Sequence, residues 1–265
     1  DFISFDMIKD AKTQKIHVDI SFVDEKNKLN IERLKQNNPE FNDVKFIKGK
    51  SFYVSRDIEK MSKSKFNVVN PDEICQQYGA DTLRMYEIFL GPIEQAKPWN
   101  TSGISGVHSF LKKYWRLFYR NDDWIVTDIE PNKNELKILH STIKKIASDI
   151  EKFSFNTCVS ALMICVNELT NLNCKSRKVL SSLTQILYPF APHIAEEIWE
   201  SLGHKNTITY EPFPEVNESY LIEEIKNYPV SFNGKLRFNI TLSLNLDDSE
   251  IKEAVLGDTR TEHYL

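Results

Sequence analysis

The stretch NTCVSALMICVNELTNLN, residues 156–173, decides the fold class because its apolar side chains recur at three- and four-residue spacing. That spacing places a continuous apolar stripe along one side of a helix. The run LMICV at residues 162–166 lies within this segment, so we interpret it as buried core and not as a cofactor-binding segment.

Helical spacing continues on both sides of that stretch, with short polar connections between the helices. Gly203 predicts a left-handed cap that closes the last helix. An antiparallel helix bundle over residues 103–210 is the simplest arrangement that buries all of the apolar stripes. Its helices are predicted at residues 104–120, 134–153, 156–173, 176–188 and 193–202.

A smaller α+β segment is predicted for residues 1–59. Residues 16–23 alternate apolar with polar side chains, which is typical of a half-buried strand. Residues 31–36 predict a short helix. Residues 44–47 and 51–55 are strand-like, and the Lys-Gly-Lys between them indicates a hairpin.

Residues 60–102 are interpreted as a polar loop followed by connecting helices. The first helix begins at Pro71, where a proline and two acidic residues suit a first helical turn. Gly79 separates this helix from the next.

Strand character returns after a polar linker at residues 211–227. Asn233-Gly234 predicts a tight hairpin turn, and the strand that follows it alternates apolar with polar residues. A helix capped by Asp247 or Asp248 is predicted next. A hairpin and one helix need further strands to bury their apolar sides, so residues 228–265 predict a truncated α+β domain. The predicted fold is therefore mixed and mainly α.

Charge and composition narrow the possible partners. The formal net charge of −4 excludes a protein held to nucleic acid by overall basicity, so any RNA contact must come from local basic faces. No apolar run is long enough to cross a membrane, which predicts a cytoplasmic protein with no membrane partner.

Zinc-type spacing is absent, so no metal site is predicted. Buried free thiols are expected among Cys75, Cys158, Cys165 and Cys174.

The pentapeptide Lys60-Met61-Ser62-Lys63-Ser64 carries two ammonium groups and two hydroxyls within a polar segment. Such a loop can wrap a polyphosphate, because lysine is a compact point charge suited to phosphate. Its role would be electrostatic stabilisation of a transition state and not proton transfer. On composition alone, a solvated connector or a phosphorylation target explains the same residues better.

The pentapeptide also resembles the KMSKS signature of class I aminoacyl-tRNA synthetases. FNVVNPD at residues 66–72 and YGADTLR at residues 78–84 are similar to the same family. GPIEQAKPW at residues 91–99 resembles the leucyl members in particular. YPFAPHIAEEIW at residues 188–199 is similar to the family's anticodon-binding helix bundle. The chain thus resembles the carboxy-terminal portion of a leucyl-tRNA synthetase.

The resemblance extends to the ends of the chain and implies an activity. Residues 1–59 are similar to the leucine-specific insert, and residues 228–260 are similar to the start of the carboxy-terminal domain. Members of this family activate leucine with ATP and Mg²⁺ and charge tRNA(Leu). By resemblance, Lys60 and Lys63 are the catalytic residues. The expected ATP-binding set is Lys60, Met61, Ser62, Lys63 and Ser64.

The other class signature, an HIGH-type sequence, is absent from these residues. We therefore expect that the isolated chain neither activates leucine nor binds a cofactor tightly. Two alternatives remain open. One is a catalytically inert tRNA-binding accessory protein derived from a class I synthetase, and the other is a helical scaffold without an RNA partner.

Candidate tRNA contacts come from basic faces. On the helix beginning near Ile104, an inward apolar stripe leaves Lys112, Arg116 and Arg120 recurring every four residues on another side. This basic ridge is a candidate RNA surface, although a solvated helix face explains it about equally well. A second candidate is the pair Lys235 and Arg237 on the terminal hairpin.

Overall fold

The computed structural model describes residues 1–8, 13–222 and 225–264. The parts of the predicted insert, linker and carboxy-terminal segment that fall on residues 9–12, 223–224 and 265 lie outside the described residues. The chain divides into two compact units. The first unit is Asp1–Leu83 with Lys97–Asn100, and the second is Arg84–Ala96 with Thr101–Leu265.

The first unit has a small aromatic and aliphatic core formed by Phe22, Leu29, Leu34 and Phe52. Short elements surround this core, and polar residues start its helices. Asn30 caps the first of them by accepting the Arg33 N–H. The elements are β1 (Phe2–Ile3), α1 (Ile31–Asn37), β2 (Phe46–Ile47) and α2 (Pro71–Tyr78).

The predicted helices at residues 31–36 and from Pro71 are confirmed. Asn70 caps α2 by accepting the Asp72 N–H, and Pro71 occupies the first turn. Gly79 has a φ of +88°, a conformation that favours glycine, and it separates α2 from α3 (Ala80–Phe89) as predicted.

The predicted strand at residues 16–23 is wrong. Residues Ile20–Phe22 form a 3₁₀ helix instead, and the Asp19 carboxylate accepts the Ser21 N–H at 2.8 Å. Only part of the alternating pattern is buried, since Phe22 is 8% exposed but Ile16 is 48% exposed. The local side-chain hydrogen bond of Asp19 offers the backbone an alternative to an extended ladder.

The predicted hairpin between residues 44–47 and 51–55 is also wrong. Strand β2 pairs in parallel with β1, with Phe46 opposite Phe2. The Phe52 carbonyl instead accepts the Leu29 N–H at 2.9 Å. The ring centroids of Phe2 and Phe46 lie 5.4 Å apart, and those of Phe46 and Phe52 lie 5.3 Å apart. Burial of these rings together outweighs the local turn signal.

The second unit contains the predicted helix bundle, which is confirmed. Helix α5 packs against α6 and α7, α7 packs against α8, and α4 packs against α6. A capping box between Asn132 and Glu135 starts α5, and Gly203 follows α8 with a φ of +96°. The elements are α4 (Thr101–Trp115), β3 (Tyr119–Arg120), β4 (Asp123–Trp124), α5 (Lys133–Glu151), α6 (Phe155–Asn171), α7 (Arg177–Leu187) and α8 (Pro192–Ser201).

The LMICV run lies on α6 and is core only in part. Leu162, Cys165 and Val166 are fully buried, whereas the Ile164 side chain is 57% exposed. Burial raises the pKa of the Cys165 thiol to about 12, which keeps it protonated. The expectation of buried free thiols is confirmed at Cys158, Cys165 and Cys174, while Cys75 is half-buried and free.

The chain ends in a β-hairpin and a helix, as the sequence predicts. Strand β5 (Ile225–Phe232) pairs antiparallel with β6 (Lys235–Ser243), and α9 (Asp248–Leu256) follows. Asn233 and Gly234 both have positive φ, at 53° and 74°, which suits the tight turn of such a hairpin. Asp247 caps α9. Among the described helices, none is long and apolar enough to cross a membrane.

Candidate functional site

The signature pentapeptide lies on an exposed loop of the first unit. Lys60 and Lys63 are both exposed. Ser62 is extended, with a φ of −153°, and Lys63–Lys65 forms one turn of 3₁₀ helix. Phe66 then adopts the left-handed conformation at a φ of 53°. The chain therefore reverses direction directly after the pentapeptide.

Hydrogen bonds hold this reversal together. The Asn67 Oδ1 atom accepts the Ser62 N–H at 2.8 Å, and its Nδ2 atom donates to the Lys60 carbonyl oxygen at 3.3 Å. The Phe66 carbonyl oxygen accepts the Ile20 N–H at 3.1 Å. The loop is thus closed on itself and tied to the 3₁₀ helix that replaces the predicted strand.

The remaining members of the predicted ATP-binding set are Met61, Ser62 and Ser64. The hydroxyls of Ser62 and Ser64 lie 2.8 Å apart and share a hydrogen bond. Met61 is 44% exposed. The two hydroxyls are therefore paired with each other.

The three lysines of this loop, Lys60, Lys63 and Lys65, differ in their ion pairing. Lys65 Nζ lies 2.6 Å from Glu59 Oε2, and the His17 Nε2 lies 3.3 Å from the same oxygen. The hydrogen bond from Lys65 holds the pKa of the Glu59 carboxyl below its usual range. Neither Lys60 nor Lys63 forms an ion pair with any residue that the structure describes. Two exposed ammonium groups are therefore available to an incoming anion.

The carboxylates close to the loop in sequence are paired with lysines. Within the described ranges, no three histidine, cysteine or carboxylate side chains are placed to hold a metal ion. The nearest carboxylates in sequence, Asp57 and Glu59, pair with Lys15 and Lys65. These residues do not fit a Mg²⁺ site, which requires free oxygen ligands in octahedral geometry.

The apolar residues predicted to face inward are all buried, but α4 ends before Phe118, the last of them, and the basic ridge beside them is wrong as a helical feature. Helix α4 ends at Trp115, so Arg116 lies in a turn and Arg120 lies in β3, while Lys112 remains on the helix. All three basic side chains are exposed. The buried stripe consists of Ile104, Val107, Leu111, Tyr114 and Phe118.

Aromatic packing explains why the helix stops early. Trp115 stacks on Tyr119 with ring centroids 4.7 Å apart, and Tyr119 meets Trp124 edge to face at 5.1 Å. Asn121 and Asp122 between the two strands both have positive φ, which turns the chain back toward Trp115. This arrangement requires a hairpin in place of the last predicted helical turn.

The second basic pair lies on β6. Lys235 and Arg237 are both exposed. The Arg237 guanidinium carbon lies 4.9 Å from the centroid of the Tyr264 ring, a cation–π contact that fixes its direction. Arg260, which the sequence did not single out, lies 4.5 Å from the Phe238 ring on the same hairpin.

Sequence reasoning also missed Glu59 and Asn67. Glu59 pairs with Lys65, the third lysine of the loop, and Asn67 closes the loop. An acidic residue directly before the pentapeptide and an asparagine soon after it were the available signals. Neither has meaning until the chain reversal at Phe66 is known.

Two family models match this chain. Residues 132–253 match the anticodon-binding domain of tRNA ligase, which corresponds to the helices from α5 onward. Residues 29–99 match tRNA synthetases class I (I, L, M and V), and this range contains the signature loop.

Similar proteins agree with these matches. The chain is 55% identical to the leucine-tRNA ligase of Christiangramia forsetii over 265 residues, which is 100% of this chain and 28% of that protein. It is 54% identical to the leucine-tRNA ligase of Flavobacterium johnsoniae over 266 residues, with the same coverage of 100% and 28%. The chain thus spans little more than a quarter of the length of these relatives.

A solved structure is similar as well. The LeuRS of Agrobacterium radiobacter, in a ternary complex with tRNA and LeuAMS, matches with a TM-score of 0.62 and 30% sequence identity. The match covers 77% of this chain and 28% of that one. The sequence and structure comparisons therefore point to the same family as the signature pentapeptide. The chain is similar to leucyl-tRNA synthetases over its whole length, and parts of it match the class I tRNA synthetase and anticodon-binding family models.

Proposed function

We propose that this chain forms the carboxy-terminal part of a leucyl-tRNA synthetase and supplies its signature loop and its tRNA-binding modules. With the amino-terminal part of such an enzyme, it would activate leucine with ATP and Mg²⁺ and charge tRNA(Leu). The observation that carries the proposal is the pair of exposed ammonium groups of Lys60 and Lys63 on a closed loop, neither of which forms an ion pair with a described residue.

The chemistry follows from charge. When leucine attacks ATP, negative charge accumulates on the departing pyrophosphate, and two lysines on one short loop can stabilise that charge. Lys60 and Lys63 act as fixed cations and transfer no proton. Lys63 begins the 3₁₀ turn, and we assign it the larger effect. Mg²⁺ would enter with the nucleotide.

tRNA is the proposed macromolecular partner. The similarity to an anticodon-binding domain and to a LeuRS solved with tRNA supports this assignment. The exposed basic residues of the second unit would contact phosphates, a sequence-independent contribution that weakens with salt. A cytoplasmic location is part of the proposal and agrees with free thiols at the buried cysteines. The proposed contacts are Lys112, Arg116, Arg120, Lys235 and Arg237.

The decisive experiment places this chain in a complete enzyme. In the Christiangramia forsetii leucine-tRNA ligase, the matched 28% of the sequence is replaced by this chain, and leucine-dependent ATP–pyrophosphate exchange is measured. We expect the chimaera to be active and the isolated chain to show no exchange. Lys63→Ala should lower kcat about 100-fold, and Lys60→Ala should lower it less, because each removes a charge that stabilises the transition state.

The result also separates the alternatives. A chimaera that binds tRNA(Leu) but shows no exchange would favour an inert tRNA-binding protein. The similarity of the whole chain to part of two ligases does not favour that alternative. An active chimaera in which Lys63→Ala leaves kcat unchanged would contradict the role of the loop.

A further inference from the structure

The Asn67 side chain closes the signature loop through two hydrogen bonds to its backbone, and we call this pair of hydrogen bonds the clip. The Asn67 carboxamide accepts one backbone hydrogen bond, from the Ser62 N–H at 2.8 Å, and donates another, to the Lys60 carbonyl oxygen at 3.3 Å. These backbone groups lie on either side of Met61. One side chain therefore fixes the whole segment between the two.

Few side chains can make this contact. The two backbone partners demand one acceptor and one donor at the same reach, and the asparagine carboxamide supplies both. Aspartate could accept the Ser62 N–H but has no hydrogen for the Lys60 carbonyl. Asn67 comes within reach because Phe66 is left-handed, with a φ of 53°.

We propose that Asn67 is a positioning residue for the phosphate-binding lysines, an inference that rests on the proposed function. By fixing the backbone at Lys60 and Ser62, the clip sets the points from which the ammonium groups of Lys60 and Lys63 project. A cation on a fixed backbone needs less reorganisation when charge develops beside it. Loss of the clip should therefore lower kcat and leave the KM for ATP nearly unchanged.

The clip itself is tested on the chain alone by NMR amide hydrogen exchange. In Asn67→Ala, protection of the Ser62 N–H should fall about fivefold, the loss expected for one net hydrogen bond. In Asn67→Asp the acceptor remains, and protection should stay within about twofold of the parent value. Asn70→Ala is the matched control, because Asn70 caps α2 through the Asp72 N–H at 3.0 Å and does not take part in either hydrogen bond of the clip. It should leave Ser62 exchange unchanged.

The functional consequence is measured in the chimaera by ATP–pyrophosphate exchange. Asn67→Ala should lower kcat about tenfold, between the effects of one and two hydrogen bonds, while the KM for ATP changes less than about twofold. Asn70→Ala should retain kcat within about twofold, since its effect falls on the helix cap. Thermal unfolding of each variant confirms that the proteins compared are folded.

The outcomes distinguish this inference from the function on which it rests. Unchanged Ser62 exchange in Asn67→Ala would overturn the clip. A normal kcat in Asn67→Ala, in a chimaera that Lys63→Ala inactivates, would overturn the positioning role alone. A rise in KM without a change in kcat would also overturn it. Full activity in Lys63→Ala would instead refute the proposed function.

Discussion

The signature loop and the α5–α6 pair of the bundle are held in place by different forces. In α6, Leu162, Cys165 and Val166 are completely buried. In the loop, Lys60 and Lys63 are exposed, and the backbone is held by one hydrogen bond that Asn67 accepts and one that it donates. Burial fixes one region, and polar contacts fix the other.

This difference suggests that the bundle determines folding stability and that the loop determines phosphate chemistry. Apolar burial contributes roughly 25 cal/mol per Å², so the bundle carries much of the folding free energy of its unit. A loop hydrogen bond contributes about 1 kcal/mol net, which is enough to choose a conformation and too little to hold a domain together. Substitutions in the bundle should change unfolding, and substitutions in the loop should change phosphate chemistry.

The largest effect is expected from Leu162→Ala in α6. Removing this fully buried side chain should lower the free energy of unfolding by about 3 kcal/mol, through lost burial and a residual cavity. Urea unfolding of the isolated chain measures the change. The matched control is Ile164→Ala on the same helix, where the side chain is 57% exposed. Equal losses in the two variants would refute the assignment of the α6 core.

A smaller effect concerns the polar contact that joins α5 to α6. The Asp149 carboxylate accepts hydrogen bonds from Lys145 and from Thr157. Burial alone would raise the pKa of Asp149, but these hydrogen bonds outweigh burial and hold the pKa below its usual range. Because the folded-state pKa is the lower one, this contribution is present above the unfolded pKa of about 4 and is lost as the pH falls further.

Asp149→Asn tests this contact through pH. At pH 7 the variant should be less stable than the parent chain by about 1 to 2 kcal/mol, since a charged acceptor is replaced by a neutral one. The gap should narrow as the pH falls below about 4, because the parent carboxyl becomes protonated. Urea unfolding at both pH values measures it. A gap that stays constant would show that the charge of Asp149 does not contribute.

The comparison also explains which features could be predicted from the sequence. The bundle helices and the Asn233-Gly234 turn depend on spacing and on local backbone preference, and both are confirmed. The partner of β2 could not be predicted, because Phe46 pairs with Phe2, more than forty residues away in sequence. The signature loop was found by its resemblance to the KMSKS signature. The clip was missed because the Asn67 side chain comes within hydrogen-bonding distance of the Lys60 carbonyl only when Phe66 is left-handed.

The smallest effect is expected from Glu59→Gln, which concerns charge in the loop. Losing the carboxylate charge releases Lys65, whose Nζ now lies 2.6 Å from Glu59 Oε2, and adds a third ammonium group that forms no ion pair with a described residue. Inorganic tripolyphosphate should then bind the isolated chain about threefold more tightly at low salt, an effect within the range of exposed ion pairs that salt screens. NMR titration measures the affinity.

Asp57→Asn is the matched control, since it makes the same change in net charge at a carboxylate paired with Lys15 at 3.0 Å. If both variants tighten binding equally, net charge explains the result, and Glu59 has no particular role in restraining Lys65. A gain confined to Glu59→Gln would mean that the loop keeps two of its three lysines free for phosphate by pairing the third.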